Sequence, residues 1–419
     1  MKNKKHLHVE IMAVGSELLT PYYQDTNSLY LTRRLNDLGI EVSYKTVVGD
    51  DWDNLTGFIK ESLSRADVVI IMGGLGPTED DRTREAVAGV LHKKLVFKPQ
   101  VLKKIEQRFK RRNLSMPAVN RKQAYIMEGA EILENRCGTA PGLWVETDSQ
   151  IIILFPGPPH ELKPMFEKFA WPRLQKLKTQ HTARRILKTT GLTESEIESI
   201  ISPFYPEDPS LKLTTLAYPG QIEIHLFSRS AQTQDEAERN LNQLQKSIQE
   251  KLKDHVFSEQ GEELEEVVGR LLRIHKKNLA VAESCTGGLL AHRLTNVPGS
   301  SDYFIQGVVA YSNQAKMKVL DVPPDIIEKH GAVSKQVAQA MAEGVRKKSC
   351  SHLGVGITGI AGPAGGTPAK PVGMVFVALA WDDGVKVSEN LFLGPRKAVK
   401  FQSTQKGLDM VRRYFIKSL

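Results

Sequence analysis

The chain has 419 residues, of which 41% are hydrophobic and 25% charged, and a formal net charge of +9. That length exceeds one ordinary domain, and the apolar share is that of a globular protein with real cores, which excludes a largely disordered chain. Three widely spaced cysteines, Cys137, Cys285 and Cys350, show no CxxC spacing, which argues against a disulfide framework or a zinc cluster and fits a reducing compartment.

The positive charge raises nucleic-acid binding as a function class, because neutralising phosphates is the usual use of a Lys and Arg excess. The excess is spread thinly, with its densest points in the first five residues, at Lys103-Lys104 and at Lys110-Arg111-Arg112. Runs of this kind are more often a solvated helix face. No stretch approaches the roughly 20 apolar residues of a membrane span. The short apolar run near the start contains Glu10 and reads as a first strand, not a signal peptide, so a cytoplasmic protein with no membrane partner is expected.

In chain order, HVEIMAV predicts a strand that ends at Gly15-Ser16-Glu17. Asp25-Thr26-Asn27 offers a cap for the helix SLYLTRRLNDLG, with Gly39 as its stop. VSYKTVVGDD, DVVIIMGG and IIILFPGPP read as strands, and NLTGFIKESLSRA and TREAVAGVLH as helices. Val- and Ile-rich runs separated by amphipathic helices predict a parallel sheet covered on both faces. This unit is expected to span 1–172.

A smaller unit over 173–259 follows. ARRILKTTG is a predicted strand, and Thr193-Glu194-Ser195-Glu196 a capping box that opens a helix. LKLTTLAY and QIEIHLFSRS form a hairpin across Tyr218-Pro219-Gly220, and a helix carries Ala237, Leu241, Leu244, Ile248 and Leu252 at helical spacing. No chemical motif stands out in it, so a spacer or dimerisation role is expected. The third unit, 260–419, runs from LEEVVGRLLRIHKK through NLAVAES, LLAHRLTNV, GVVAYSN, LGVGITG, a Gly- and Pro-rich loop, MVFVALAW and VSENLFLG.

Two segments carry chemistry. GGLGPTEDDRT places Gly73, Gly74, Gly76 and Thr78 at a strand-to-helix turn, where backbone N–H groups can approach a phosphate. Asp80 and Asp81 there, joined by Asp50 from a neighbouring strand end, suit a divalent cation that bridges to one. Carboxylates capping an ordinary turn are the plainer alternative. In the third unit, AESCTGG puts Ser284 between a buried strand and a helix whose Thr286, Gly287 and Gly288 amides face an incoming anion. With no His in a triad context, Lys316 is the candidate base and Tyr311 the proton relay. The loop from Ile357 to Gly366, with Thr358, Gly359, Gly362 and Gly365, offers further donors, and Arg396 a phosphate clamp. Singly, Ser284 is as readily a helix cap, Tyr311 a packing residue and Lys316 a solvated one. Cys285 is the rival nucleophile, since a thiol at a helix N-terminus acidifies.

These motifs carry a resemblance. GSELL with DTN, GGLGPTEDDRT, Asn135 with GTAPG, and FPGPPHEL resemble the N-terminal, molybdopterin-binding-like domain of the CinA family. AESCTGG, YSNQAK, GITGIAGPAGGTPAKPVG and the later Gly-x-Arg resemble that family's nicotinamide-nucleotide amidase domain. The resemblance implies an α/β chain in three parts: a three-layer molybdopterin-binding-like domain, a small KH-type α+β module and an α/β amidase domain. It implies a bifunctional hydrolase of pyridine-nucleotide recycling. The amidase domain, without a cofactor, would turn nicotinamide mononucleotide into nicotinate mononucleotide and ammonia, using Ser284 as nucleophile with Tyr311 and Lys316. The first domain would cleave ADP-ribose with a divalent metal ion, and the protein would be a homodimer. The middle module lacks the GxxG loop that clamps RNA backbones, so no specific nucleic-acid partner is carried over. Pterin binding by the first domain, or a competence- and damage-related interaction role, are the alternatives. Two places depart from the family pattern: Thr20-Pro21-Tyr22-Tyr23, and Lys400 where Arg is usual.

Overall fold

The computed structural model describes residues 7–177, 181–230 and 232–417; the basic first five residues lie outside this set. By contacts the chain divides into two compact units, Met1–Thr182 with Arg229–Thr233, and Ala183–Ser228 with Gln234–Leu419.

The first unit runs β1 (Val9–Val14), α1 (Thr26–Asp37), β2 (Val42–Val48), α2 (Trp52–Arg65), β3 (Val68–Met72), α3 (Thr83–Val90), β4 (Leu95–Phe97), α4 (Pro99–Lys110), β5 (Tyr125–Met127), β6 (Glu131–Leu133), β7 (Gly142–Glu146), β8 (Ile151–Phe155), α5 (Pro159–Met165) and α6 (Trp171–Lys176). Its main sheet has the order β2-β1-β3-β8-β7-β6. The first four strands are parallel, but β7 runs antiparallel to β8 and β6 antiparallel to β7, so the expected parallel sheet is in fact mixed. The cause is local. Thr147 and Gln150 close a tight turn through a 2.9 Å backbone hydrogen bond, and a connection that short joins only antiparallel strands.

Alternate side chains of the strands feed two cores. Met12, Val14, Val69 and Ile71 pack with Leu55, Ile59, Ala86, Val87 and Ile105 on one face, while Ile11, Ala13 and Ile70 pack with Leu31, Leu35, Leu162 and Leu174 on the other. The result is a three-layer α/β/α unit that continues past Trp171 through α6. On α4, Val101 and Ile105 are buried while Lys103, Lys104 and Lys110 are exposed on the opposite face, as a solvated helix face requires.

The second unit begins with β9 (His181–Thr189), α7 (Glu194–Ile201), β10 (Leu211–Tyr218), β11 (Gln221–Ser230), α8 (Gln234–Leu252) and β12 (Val256–Ser258), in a four-stranded sheet β10-β11-β9-β12. Thr193 and Glu196 form the predicted capping box, and Tyr218 pairs with Gln221 across the predicted two-residue turn. The short β12 has no sequence signal of its own. The remainder runs α9 (Leu264–Ile274), β13 (Leu279–Glu283), α10 (Leu289–Thr295), β14 (Phe304–Val309), α11 (Asn313–Leu320), α12 (Pro324–His330), α13 (Lys335–Lys348), β15 (Leu353–Gly359), β16 (Met374–Trp381), β17 (Gly384–Leu391) and α14 (Arg396–Phe415). Its sheet, β14-β13-β15-β16-β17, is parallel through β15 and antiparallel beyond. Leu279, Val281 and Val355 face α9, α10 and α14, and Ala280 and Ala282 face α11 and α13. Among the described residues no helix is long and apolar enough to cross a membrane.

Candidate active site

β13 is buried throughout and parallel to both of its neighbours, so the chain emerging from it stands at the C-terminal edge of a sheet, where α/β folds place ligands. Ser284 is the next residue. Its N–H donates to Ile357 O at 3.0 Å, extending the ladder by one rung, and its side chain is buried.

Lys316 reaches the same point from α11. Ser312 caps that helix by accepting the Ala315 N–H at 3.1 Å, which sets the first turn so that Lys316 points inward. Only 1% of Lys316 is exposed. Its Nζ lies 3.0 Å from Ser284 Oγ, 3.0 Å from Ala310 O and 3.1 Å from Tyr311 O. Burial pushes its pKa below the ordinary lysine value.

Tyr311 is brought here by its backbone. The residue is 63% exposed and its phenol accepts a 3.4 Å hydrogen bond from Arg396 Nη2, so Lys316 meets the Tyr311 carbonyl and not a phenolic relay. Arg396 also donates through Nη1 to Gly362 O at 2.7 Å. Thr358 donates its hydroxyl to Ala332 O at 2.8 Å, and Gly359 packs against β16. Gly362 and Gly365 both have positive φ, the conformation that glycine alone adopts freely. Lys400 Nζ lies 3.6 Å from where a Cβ on Gly287 would stand.

The amides of Gly287 and Gly288 are already taken, contrary to the expected anion site. Gly287 N–H donates to Ser284 O at 3.1 Å, and the buried Glu283 carboxylate accepts from Gly288, Leu290 and Ala291 at 3.1, 3.0 and 2.8 Å. Glu283 thus supplies the negative charge that the N-terminus of α10 favours. The sequence signal was available, since an acidic residue closes the strand just ahead of a helix. Thr286 is buried and its hydroxyl has no protein partner. Cys285 is buried as well, and burial pushes its thiol up to about 12, the opposite of the acidified thiol a nucleophile needs.

In the first unit the glycine turn forms as expected. A Cβ on Gly73 would stand 2.1 Å from Val14 O and one on Gly74 2.1 Å from Thr83 Oγ1, so both positions exclude side chains. Thr83 Oγ1 donates to Gly73 O at 2.9 Å, and the wholly buried Arg84 to Leu75 O at 3.3 Å. A Cβ on Gly76 would meet Asp81 Oδ2 at 2.4 Å. The three carboxylates do not assemble into a metal centre. Asp81 accepts from Thr78 N at 2.9 Å and Thr78 Oγ1 at 2.6 Å, Asp50 accepts from Ser16 N at 2.8 Å, and Asp80 is exposed. Among the described residues no group of three or more His, Cys, Asp or Glu could hold a metal ion. Asp81 fastens the glycine turn through Thr78 and Asp50 holds the loop after β1 through Ser16, while α3 starts without a side-chain cap.

Comparison with known proteins agrees with this layout. Residues 10–176 match the probable molybdopterin binding domain, 184–258 the damage-inducible protein CinA KH domain, and 261–415 the CinA C-terminal domain. A CinA-like protein of Koribacter versatilis is 49% identical over 412 residues, 97% of this chain and 99% of the relative. A protein of Acetivibrio thermocellus named as competence-damage inducible is 43% identical over 411 residues, 98% of this chain and 99% of the relative. Among solved structures, the competence/damage inducible protein CihA of Agrobacterium tumefaciens is 35% identical, covering 36% of this chain and 95% of its own, with a TM-score of 0.35. Matched from end to end by such relatives and by all three domain models in order, the chain belongs to the CinA family.

Proposed function

We propose that residues 260–419 form an amidohydrolase that converts nicotinamide mononucleotide to nicotinate mononucleotide and ammonia. The observation that carries this reading is the 3.0 Å approach of Lys316 Nζ to Ser284 Oγ in a buried setting. A neutral amine has two N–H donors and one lone pair. With the donors directed at Ala310 O and Tyr311 O, the lone pair is left for the Ser284 hydroxyl, which donates its proton to it.

The chemistry then follows in two halves. Ser284 Oγ bonds to the amide carbon as Lys316 takes its proton. The tetrahedral intermediate collapses by breaking the C–N bond, and Lys316 returns the proton to the leaving nitrogen, which departs as ammonia. Water repeats the sequence on the acyl-serine, releasing the acid and restoring the hydroxyl. Arg396, exposed and held by Gly362 O and the Tyr311 phenol, has guanidinium edge to spare for the nucleotide phosphate. The test is ammonia release from nicotinamide mononucleotide by the full chain and by Ser284→Ala, which should be inactive yet folded. Undiminished release by that variant would remove Ser284 from the nucleophile role.

A second activity is proposed for the first unit, on the observation that Gly73, Gly74 and Gly76 form a tight turn between β3 and α3 with no room for a Cβ at any of the three. A glycine turn at a strand end ahead of a helix is where α/β sheets take phosphate groups, and the pyrophosphate of ADP-ribose is the group proposed for it. Cleavage of ADP-ribose by the full chain, assayed across divalent ions and with chelator, decides it; no cleavage under any condition refutes it.

A further inference from the structure

Around Ser284 the second unit holds a circuit of hydrogen bonds that starts and ends on that residue. Ser284 N–H donates to Ile357 O at 3.0 Å, and the next residue, Thr358, donates its hydroxyl to Ala332 O at 2.8 Å. Flanking Ala332, the carbonyls of His330 and Val333 accept from Lys370 Nζ at 2.7 and 2.6 Å. Lys370 stands on the glycine-rich lobe, at whose other end Gly362 O accepts from Arg396. Arg396 reaches the Tyr311 phenol, and the Tyr311 carbonyl reaches Lys316, which returns to Ser284.

Among the described residues, Lys370 is the side chain of the lobe's tip that hydrogen-bonds to the rest of the fold. The lobe closes at its neck, where Ile360 and Met374, and Gly373 and Ile360, exchange backbone bonds of 2.9 and 2.7 Å. Gly362 and Gly366 lie flat on Val372, with no space for a Cβ at either. Residues 363–369 are exposed, and Thr367 and Lys370 bond to each other across the tip. A half-buried ammonium that donates to two backbone carbonyls outside its own loop is costly to place and orients whatever it is attached to.

We propose that Lys370 is a positioning residue of the amidase, acting through the lobe and Gly362 O to set Arg396, and with it the Tyr311 phenol. The inference rests on the amidase reading, and it assigns Lys370 no contact with the substrate.

The experiment compares Lys370→Met and Lys370→Arg in the full chain, alone and in an Arg396→Ala background. Hydrogen exchange should speed up in Lys370→Met at residues 331–334 and 361–373 and nowhere else. With nicotinamide mononucleotide, KM should rise about tenfold while kcat stays within about threefold, the pattern of a misplaced binding group. Lys370→Arg, which keeps donors for both carbonyls, should return KM to within about threefold of the parent. In the Arg396→Ala background Lys370→Met should add nothing, because the relay ends at Arg396. A full additional loss in that background, or exchange unchanged by Lys370→Met, overturns the proposal. Absence of ammonia release from the parent protein overturns the amidase reading instead, and exchange then still decides whether Lys370 anchors the lobe.

Discussion

Lys316 Nζ lies 3.0 Å from Ser284 Oγ, and both side chains are withdrawn from solvent. Burial favours the uncharged amine and lowers the lysine pKa, so a neutral amine is available beside Ser284 at a pH where a solvated lysine would be protonated. The kcat of ammonia release should therefore rise with pH through that depressed pKa and then level. Lys316→Met should lose about 10²–10⁴-fold, the usual contribution of a general base. A pH–rate profile of the same shape in Lys316→Met would show that the limb belongs to another group.

The same shift has a consequence for stability. Below the folded-state pKa both folded and unfolded chains carry the proton, and the cost of burying the charge is present in full. Between the folded pKa and the ordinary value of 10.5 only the unfolded chain is protonated, so stability rises with pH; above 10.5 the cost is gone. Denaturant midpoints of the parent and of Lys316→Met, measured across this range, should shift in favour of the parent as pH rises. A difference independent of pH would mean that Lys316 titrates alike in both states.

Cys285 adjoins Ser284 in sequence but not in chemistry. Its thiol, pushed up to about 12 by burial, stays protonated at any working pH. Cys285→Ala should keep ammonia release within about threefold of the parent, its modest cost coming from packing. Complete loss, with Ser284→Ala still active, would exchange the roles of the two residues.

Glu283 matters for a different reason. Its carboxylate takes three backbone N–H groups at the start of α10. Glu283→Ala leaves those donors buried and should cost about 2–4 kcal/mol of stability, against a smaller loss for Glu283→Gln, which keeps one acceptor oxygen. Equal melting temperatures for the two variants would show that the carboxylate is not the cap.

Much of this fold is legible in the sequence because its signals are local. The Thr193–Glu196 capping box, the Pro219-Gly220 turn and the Val- and Ile-rich strands each depend on neighbours a few residues away. The Ser284–Lys316 pair is 32 residues apart, yet each member carries a local signal, a strand end and a capped helix, and the pairing of β13 with β14 brings the two together. What stays hidden depends on partners distant in sequence or on backbone atoms. Lys370 works through the carbonyls of His330 and Val333, which carry no residue signature. The direction of β7 hangs on a turn at Thr147–Gln150, easily passed over beside long buried strands. Asp50 and Asp81 look alike as ligands or as caps until Ser16 and Thr78 are seen to hold them.

Gly73 offers the sharpest test of the first unit. Its φ of +100 lies in the region that side chains avoid, and a Cβ there would stand 2.1 Å from Val14 O. Backbone cannot yield as a flexible side chain can, so Gly73→Ala should cost about 3–5 kcal/mol. Gly57, in mid-α2, has no neighbour within 4 Å of an added Cβ, and Gly57→Ala should instead gain about 0.5–1 kcal/mol from the lower entropy cost of ordering alanine in a helix. Calorimetry of the full chain should show the first variant melting earlier and the second later, with ammonia release from nicotinamide mononucleotide retained in both below the lower transition. Gly73→Ala melting with the parent would mean that the strand-end turn relaxes away from Val14 O without penalty.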